Sequence, residues 1–221
     1  IVNSDWSSDV CSSDLIYQKV TEKVNAKGGI AKFLFYRGME AKKENMKKGY
    51  NYHWFYDRFV FSQITASVGL DECELTISGS APLSSVVLDF LRCVIGNVVV
   101  EGYGATETAG ATLLQLYNDY TSGNVGGPMS CCDMRLEDVP DMEYLHTDKS
   151  HNGLPCIGRG ELCMRGYNVS PGYFRHPELT KEAYDKDGFF HTGDIVMVFP
   201  NGAIKIIDRK KNFFKLSQGE Y

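Results

Sequence analysis

The 221 residues carry 23 Lys and Arg against 28 Asp and Glu, a formal charge of −5 that leaves no broad basic field to recruit nucleic acid. With 43% hydrophobic and 12% aromatic residues the chain can bury one or two cores, yet no apolar run approaches the ~18 residues of a membrane-crossing helix. The seven cysteines show neither paired CxxC spacing nor a disulfide framework, so they read as small apolar side chains in a reducing, intracellular compartment rather than zinc ligands.

Residues 1–15 are set aside, because Asp5–Leu15 (DWSSDVCSSDL) reads as one translated frame of a common sequencing-library adapter. Ile16, Val20 and Val24 then recur every four residues among lysines and glutamate, which predicts an amphipathic helix ending at Gly28-Gly29. A second helix is predicted over 30–48. Its lysine-rich tail precedes Tyr50, Tyr52, Trp54, Phe55 and Tyr56, a pairing of basic and aromatic residues that would suit an anionic membrane surface. A solvated helix face beside aromatic core residues is the preferred reading, since Glu40 and Glu44 dilute the charge.

Leu75 and Ile77 alternate toward Gly79-Ser-Ala-Pro82, a strand ending in a tight loop. Leu83, Val86, Val87, Phe90, Leu91, Val94 and Ile95 keep the spacing of a buried helical stripe, closed by Gly96-Asn97. A strand follows at Val98–Val100, and Gly102 and Gly104 then bracket Tyr103. This order predicts a parallel α/β sheet with ligand loops at the carboxyl ends of its strands. From about Asn124, glycines and prolines punctuate short apolar runs such as Gly160–Gly166, the pattern of a smaller β-rich subdomain. Val196–Phe199 and Ala203–Ile207 flank Pro200-Asn-Gly202, predicting a hairpin with a two-residue Asn-Gly turn. The expected organisation is therefore 16–123 as α/β, 124–207 as β-rich, and 208–221 as a hinge and the start of a further domain.

Two blocks carry chemistry. Asp187–Lys211 (DGFFHTGDIVMVFPNGAIKIIDRKK) resembles the long signature of fatty acyl-CoA synthetases in the adenylate-forming superfamily, and Glu101–Thr108 (EGYGATET) resembles that superfamily's phosphate and magnesium motif. The first departs from the usual pattern at Phe189, Phe190, Val196, Val198 and Ile204, while its polar positions agree. The resemblance, closest to the long-chain acyl-CoA synthetases, implies ATP-dependent activation of a fatty acid to an acyl-adenylate and transfer of the acyl group to coenzyme A. Activity on another carboxylic acid, or noncatalytic nucleotide or lipid binding, are the alternatives.

Carried over residue by residue, the resemblance makes Glu107 the Mg2+ carboxylate and Thr106 the hydroxyl that contacts phosphate oxygens. Tyr103, with Gly104 beside it, is expected to stack on adenine, and the backbone at Gly79, Ser80 and Ala81 to line the base and acyl pocket. Asp194 would accept from the ribose hydroxyls, Arg209 would hold the ribose, and Lys211 would occupy the hinge. Lys215 matches a lysine whose catalytic role depends on domain orientation, and His191 reads as structural. Each residue alone also fits a plainer role: a polar loop for Thr106 and Glu107, a strand-end aromatic for Tyr103, a turn for Gly193-Asp194, and a solvated strand end for Arg209–Lys211. No Ser/Thr/Gly-rich phosphate loop followed by Pro-Lys is found, and the family's C-terminal lysine is missing, so the chain reads as an internal piece, inactive by itself. The family further implies fatty acid, ATP and coenzyme A as partners, no nucleic acid, and peripheral association of the parent with the endoplasmic reticulum, peroxisome or another organelle membrane.

Overall fold

The computed structural model describes residues 12–79, 83–96 and 98–210. Ser80, Ala81, Lys211 and Lys215, together with the adapter-like segment up to Cys11, lie outside the described residues. Two compact units divide the chain. Within the described residues, one takes its members from Ile1–Ile77, Ala81–Val100 and Tyr117–Ser122, and the other from Ser78–Ser80, Glu101–Leu116 and Gly123–Tyr221.

The first unit is helical. Helices α1 (Ser12–Lys27) and α2 (Gly29–Lys47) match the expected amphipathic helix and the second helix expected after it. A short α3 (Trp54–Tyr56) then runs through a π-helical turn, Asp57–Phe61, into α4 (Ser62–Ser67). The aromatic cluster does not all enter the core: Tyr50, Tyr52 and Trp54 are exposed, whereas Phe61 is buried and Tyr56 packs against the core. Strand β1 (Leu75–Ser78) leads to α5 (Ser85–Ile95), whose N-terminus is capped by Ser84 Oγ accepting the Val87 N–H at 3.3 Å. Gly96, with φ of 73°, supplies the left-handed residue that ends it.

The α5 stripe forms the core of this unit. Val87, Leu88, Phe90, Leu91, Val94 and Ile95 are buried, and Tyr17 meets Phe90 edge-on with ring centroids 5.0 Å apart. Each such side chain fully buried contributes about 1.5–3 kcal/mol. Val86, expected in the stripe, is instead exposed, as are Leu75 and Ile77.

Two buried cations have their donors satisfied within the unit. Lys42 Nζ donates to Asp57 Oδ1 at 2.6 Å and sits 5.3 Å from the Phe61 ring. The guanidinium of Arg92 donates to the carbonyls of Val99, Asp119, Tyr120 and Thr121, and so gathers the 117–122 loop around one charge.

The second unit is β-rich. Strand β2 (Val98–Ala105) is longer than the expected Val98–Val100 and takes Gly102, Tyr103 and Gly104 into its own run. A 3-10 turn, Thr106–Thr108, joins it to β3 (Gly110–Leu114), which pairs antiparallel with β2 and then with β4 (Gly127–Pro128). Gly104 is required at its place, because a Cβ there would lie 2.0 Å from the Gly110 carbonyl oxygen. The strand–helix–strand order of β1, α5 and β2 is that of an α/β fold. Past Glu101 every strand pairing among the described residues is antiparallel.

Four further strands form a sheet in the order β10-β9-β8-β5: β5 (Cys132–Glu137), β8 (Gly158–Gly166), β9 (Phe190–Val198) and β10 (Ile204–Arg209). Between β5 and β8 lies a small β6–β7 hairpin (Ser150–His151 and Leu154–Pro155), and α6 (Pro177–Ala183) precedes β9. Leu162 and Met164 of β8, Val196 and Val198 of β9 and Ile204 of β10 join Leu113 in the core of this unit.

The β9–β10 hairpin forms where expected, but its turn is not the two-residue one. Gly202 N–H donates to the Phe199 carbonyl at 2.9 Å, so the β-turn is Phe199–Gly202, with Pro200 second and Asn201 third. Proline fixes φ near −65°, which suits the second position of an ordinary turn and prevents Asn201-Gly202 from being the central pair. Only Gly202 then takes positive φ, 85°.

Candidate nucleotide site

The site is assembled on the second unit by departures from regular pairing. In β9, His191 lies opposite Cys163 and Ile195 opposite Glu161, so Thr192, Gly193 and Asp194 face the single residue Leu162. Two surplus residues bulge from the ladder, and Gly193 adopts φ of 74° at the bend. Thr192 anchors the bulge at both ends: its hydroxyl donates to the Leu162 carbonyl at 2.8 Å and accepts the Asp194 N–H at 3.1 Å. Asp194 is thereby lifted out of the strand. On its other side a bulge in β10 sets Arg209 opposite Asp194 in register, and Arg209 Nε lies 3.3 Å from Asp194 Oδ1.

The remaining oxygen, Asp194 Oδ2, accepts the phenol of Tyr103 at 2.6 Å, across 91 residues of sequence. Burial, followed by the hydrogen bond to the carboxylate, pushes the Tyr103 phenol well above its ordinary value. Tyr103, Asp194 and Arg209, read separately from two motifs, thus form one group joined by a hydrogen bond and an ion pair. A carboxylate held between a phenol and a guanidinium is fixed in direction, as an acceptor for a pair of hydroxyls must be.

A second group lies four residues further along the chain from Tyr103. Thr108 closes the Thr106–Thr108 turn by accepting the Ala105 N–H at 2.9 Å, and Ser170 N–H donates to the Glu107 carbonyl at 2.7 Å. Asn168 Nδ2 donates to the Thr108 carbonyl at 3.2 Å. The half-buried Glu107 carboxylate accepts the phenol of Tyr173 through Oε1 at 2.6 Å. That bond, ahead of burial, raises the Tyr173 phenol to about 12. Thr106 is exposed at the apex. Among the described residues Oε2 of Glu107 carries no hydrogen bond, which suits Mg2+, an ion commonly held by one or two carboxylates together with substrate phosphates.

Gly79 lies with its Cα where a Cβ would meet the Gly102 carbonyl oxygen at 3.3 Å, so backbone approaches backbone there. His191 is enclosed by structural partners: its Nδ1 is 3.5 Å from both Cys163 Sγ and Glu161 Oε2. Glu137, Cys163 and His191 bring possible ligand atoms within 4.8 Å of one another, but the Arg135 guanidinium already neutralises Glu137 at 3.0 Å. Burial holds the Cys163 thiol up at about 12, against the thiolate that a metal would need. Phe189, one of the positions that depart from the usual signature, lies between two cations, with the guanidinium carbons of Arg135 and Arg165 at 4.3 and 4.5 Å from its ring centroid.

The sequence profile described as AMP-binding enzyme matches residues 30–174, more than half of the chain. The chain belongs to this family of AMP-binding enzymes. Among its relatives, fatty acyl-CoA synthetase A of Dictyostelium discoideum is 43% identical over 216 residues, 96% of this chain and 31% of that protein. Long-chain-fatty-acid–CoA ligase 5 of Mus musculus is 42% identical over 207 residues, 93% of this chain and 29% of the ligase. The chain thus spans about a third of the length of these relatives. Among solved structures, the A domain of a carboxylic acid reductase from Segniliparus rugosus, in complex with AMP and a co-purified carboxylic acid, superposes with a TM-score of 0.55 at 30% identity. That match covers 86% of this chain and 28% of the other.

Tyr173, Glu161 and Lys210 belong to the constellation and are not singled out by sequence. Tyr173 is a lone tyrosine 66 residues from Glu107, and no spacing connects them.

Proposed function

We propose that this AMP-binding enzyme chain carries the nucleotide-handling part of a ligase that activates a long-chain fatty acid with ATP and Mg2+ and passes the acyl group to coenzyme A. The observation that carries the reading is the fixed Asp194, held by Tyr103 and Arg209 from two separate motifs and presented on a bulge. Asp194 accepts from the ribose hydroxyls, Arg209 borders the ribose, and the Tyr103 ring packs on the base while its hydroxyl orients the carboxylate. The names of the relatives support both the ligase chemistry and the long-chain acid.

Attack of a carboxylate on the α-phosphorus brings negative charges together, so the reaction needs electrostatic neutralisation rather than a covalent enzyme intermediate. Magnesium, when bound, supplies that neutralisation, with Glu107 as its carboxylate and Thr106 against the phosphate oxygens. Tyr173 holds Glu107 in place. Gly79, Ser80 and Ala81 line the base and acyl pocket, while Lys211 as hinge and Lys215 complete the assignment in the segment beyond β10.

The test is ATP–pyrophosphate exchange with palmitate in a protein spanning the full length of the relatives, with and without Glu107→Ala. Exchange lost in the variant while fatty-acid binding persists supports the reading. Exchange unaffected by the substitution removes Glu107 from the site, and nucleotide binding without exchange favours a noncatalytic binder.

A further inference from the structure

Glu161 is a buried carboxylate in the middle of β8, 3% exposed, with both oxygens engaged by groups distant in sequence. Its Oε1 accepts the Gly193 N–H at 3.1 Å. Its Oε2 accepts Lys210 Nζ at 2.9 Å and lies 3.5 Å from His191 Nδ1. Gly193 is the bend of the bulge that presents Asp194, and Lys210 directly follows Arg209, the cation beside Asp194. One anion therefore ties together the two backbone segments from which the Asp194–Arg209 pair is built.

Burying a carboxylate is costly, and an apolar side chain of similar volume in its place is often neutral or stabilising. A neutral glutamine oxygen would still accept the Gly193 N–H, more weakly than the carboxylate does. The charge strengthens the bond from Gly193 and pairs with Lys210, both beside the Asp194–Arg209 pair, so its use is to fix position.

We propose that Glu161 is a positioning residue of the nucleotide site: it clamps the Gly193–Asp194 bulge to Lys210 and so sets the direction of the Asp194 carboxylate. The inference rests on the reading of Asp194 as the ribose acceptor. It also links the site to the chain leaving β10. Displacing Lys210 pulls on the same anion that holds Gly193, so nucleotide affinity and the placement of the following segment are coupled.

The experiment uses a protein spanning the full length of the relatives. Lys210→Met, Glu161→Gln, the double variant and Lys210→Arg are compared by AMP calorimetry, by KM and kcat in ATP–pyrophosphate exchange, and by thermal midpoint. Lys210 is 42% exposed, but its replacement by Met leaves the buried Glu161 without its cation, so the double variant, which carries neither charge, is the control for folding. Lys210→Met and Glu161→Gln are each expected to weaken AMP binding and raise KM for ATP by about fivefold or more, a common size for site-to-site coupling, with KM for the fatty acid unchanged. The double variant is expected to be no worse than the poorer single one, and Lys210→Arg to restore binding.

Wild-type AMP affinity in Lys210→Met overturns the proposal. Additive losses, or loss of folding in Glu161→Gln beside an unaffected Lys210→Met, would make Glu161 structural and overturn it too. A wild-type protein that binds AMP but shows no exchange would sink the ligase reading while calorimetry still decides the clamp; one that does not bind AMP sinks both.

Discussion

Replacing Tyr173 with phenylalanine removes one hydroxyl from a half-buried site and leaves the ring, so the fold should persist and the effect should fall on Glu107. The lost bond is 2.6 Å long with a charged acceptor. Hydrogen bonds to charged groups contribute about 1.5–3 kcal/mol, and partial solvent access to Glu107 places this one near the lower limit. Since about 1.4 kcal/mol corresponds to tenfold, the magnesium concentration giving half-maximal exchange should rise by about tenfold. KM for ATP at saturating magnesium should change little, because Asp194 and Tyr103 are untouched. The assay is pyrophosphate exchange titrated with magnesium at fixed ATP and palmitate. An unchanged magnesium midpoint would refute the view that Tyr173 orients the metal carboxylate, whatever happened to the overall rate.

Asp194→Ala should weaken ATP binding by about tenfold or more, the loss from a single charge-assisted bond, and unchanged calorimetric affinity would reduce Gly193-Asp194 to a turn. For Asp185, burial raises the pKa, but the Phe189 N–H, the Arg135 guanidinium and the Asp187 N–H outweigh it and hold the carboxyl at about 2. Because that value lies below the ordinary ~3.8 to 3.9, its stabilisation is present above about pH 4 and lost as pH falls toward 2. Asp185→Asn should therefore lower the thermal midpoint at neutral pH and converge with wild type in acid; a gap independent of pH would contradict the electrostatic account. Competition among acids of graded length should favour long chains over acetate, aryl acids and amino acids, and the reverse order would remove the long-chain assignment while leaving adenylation intact.

The parts of the fold written in local chemistry were legible. Gly96 closes α5 and Pro200-Asn-Gly202 marks the hairpin, because stops and turns depend on a few adjacent residues, whereas the Ser84 cap was not read. The turn itself differed, since Pro200 decides which pair becomes central. Periodicity located the α5 stripe but could not show that Val86 faces solvent, nor that Leu75 and Ile77 do. At the site, motifs assigned Tyr103, Glu107, Asp194 and Arg209, whereas the union of Tyr103, Asp194 and Arg209 depends on two bulges. A bulge is a relation between strands, set by register, and leaves no mark on one strand read alone. Tyr173 and Glu161 were illegible for the same reason, since each acquires meaning only from a distant partner.

The bulge in β9 holds two extra residues, and the evenness of that number has an evolutionary consequence. Side chains alternate faces along a strand, so a surplus of two leaves Val196 and Val198 in the core and Ile195 opposite Glu161. Losing or gaining one residue between His191 and Ile195 would invert every later side chain of β9, exchanging Val196 and Val198 with Ile195 and Met197 between two buried faces. Length variation in this loop is therefore expected to be fixed in lineages only in steps of two, or with a compensating shift in β10, where the single extra residue already changes parity once.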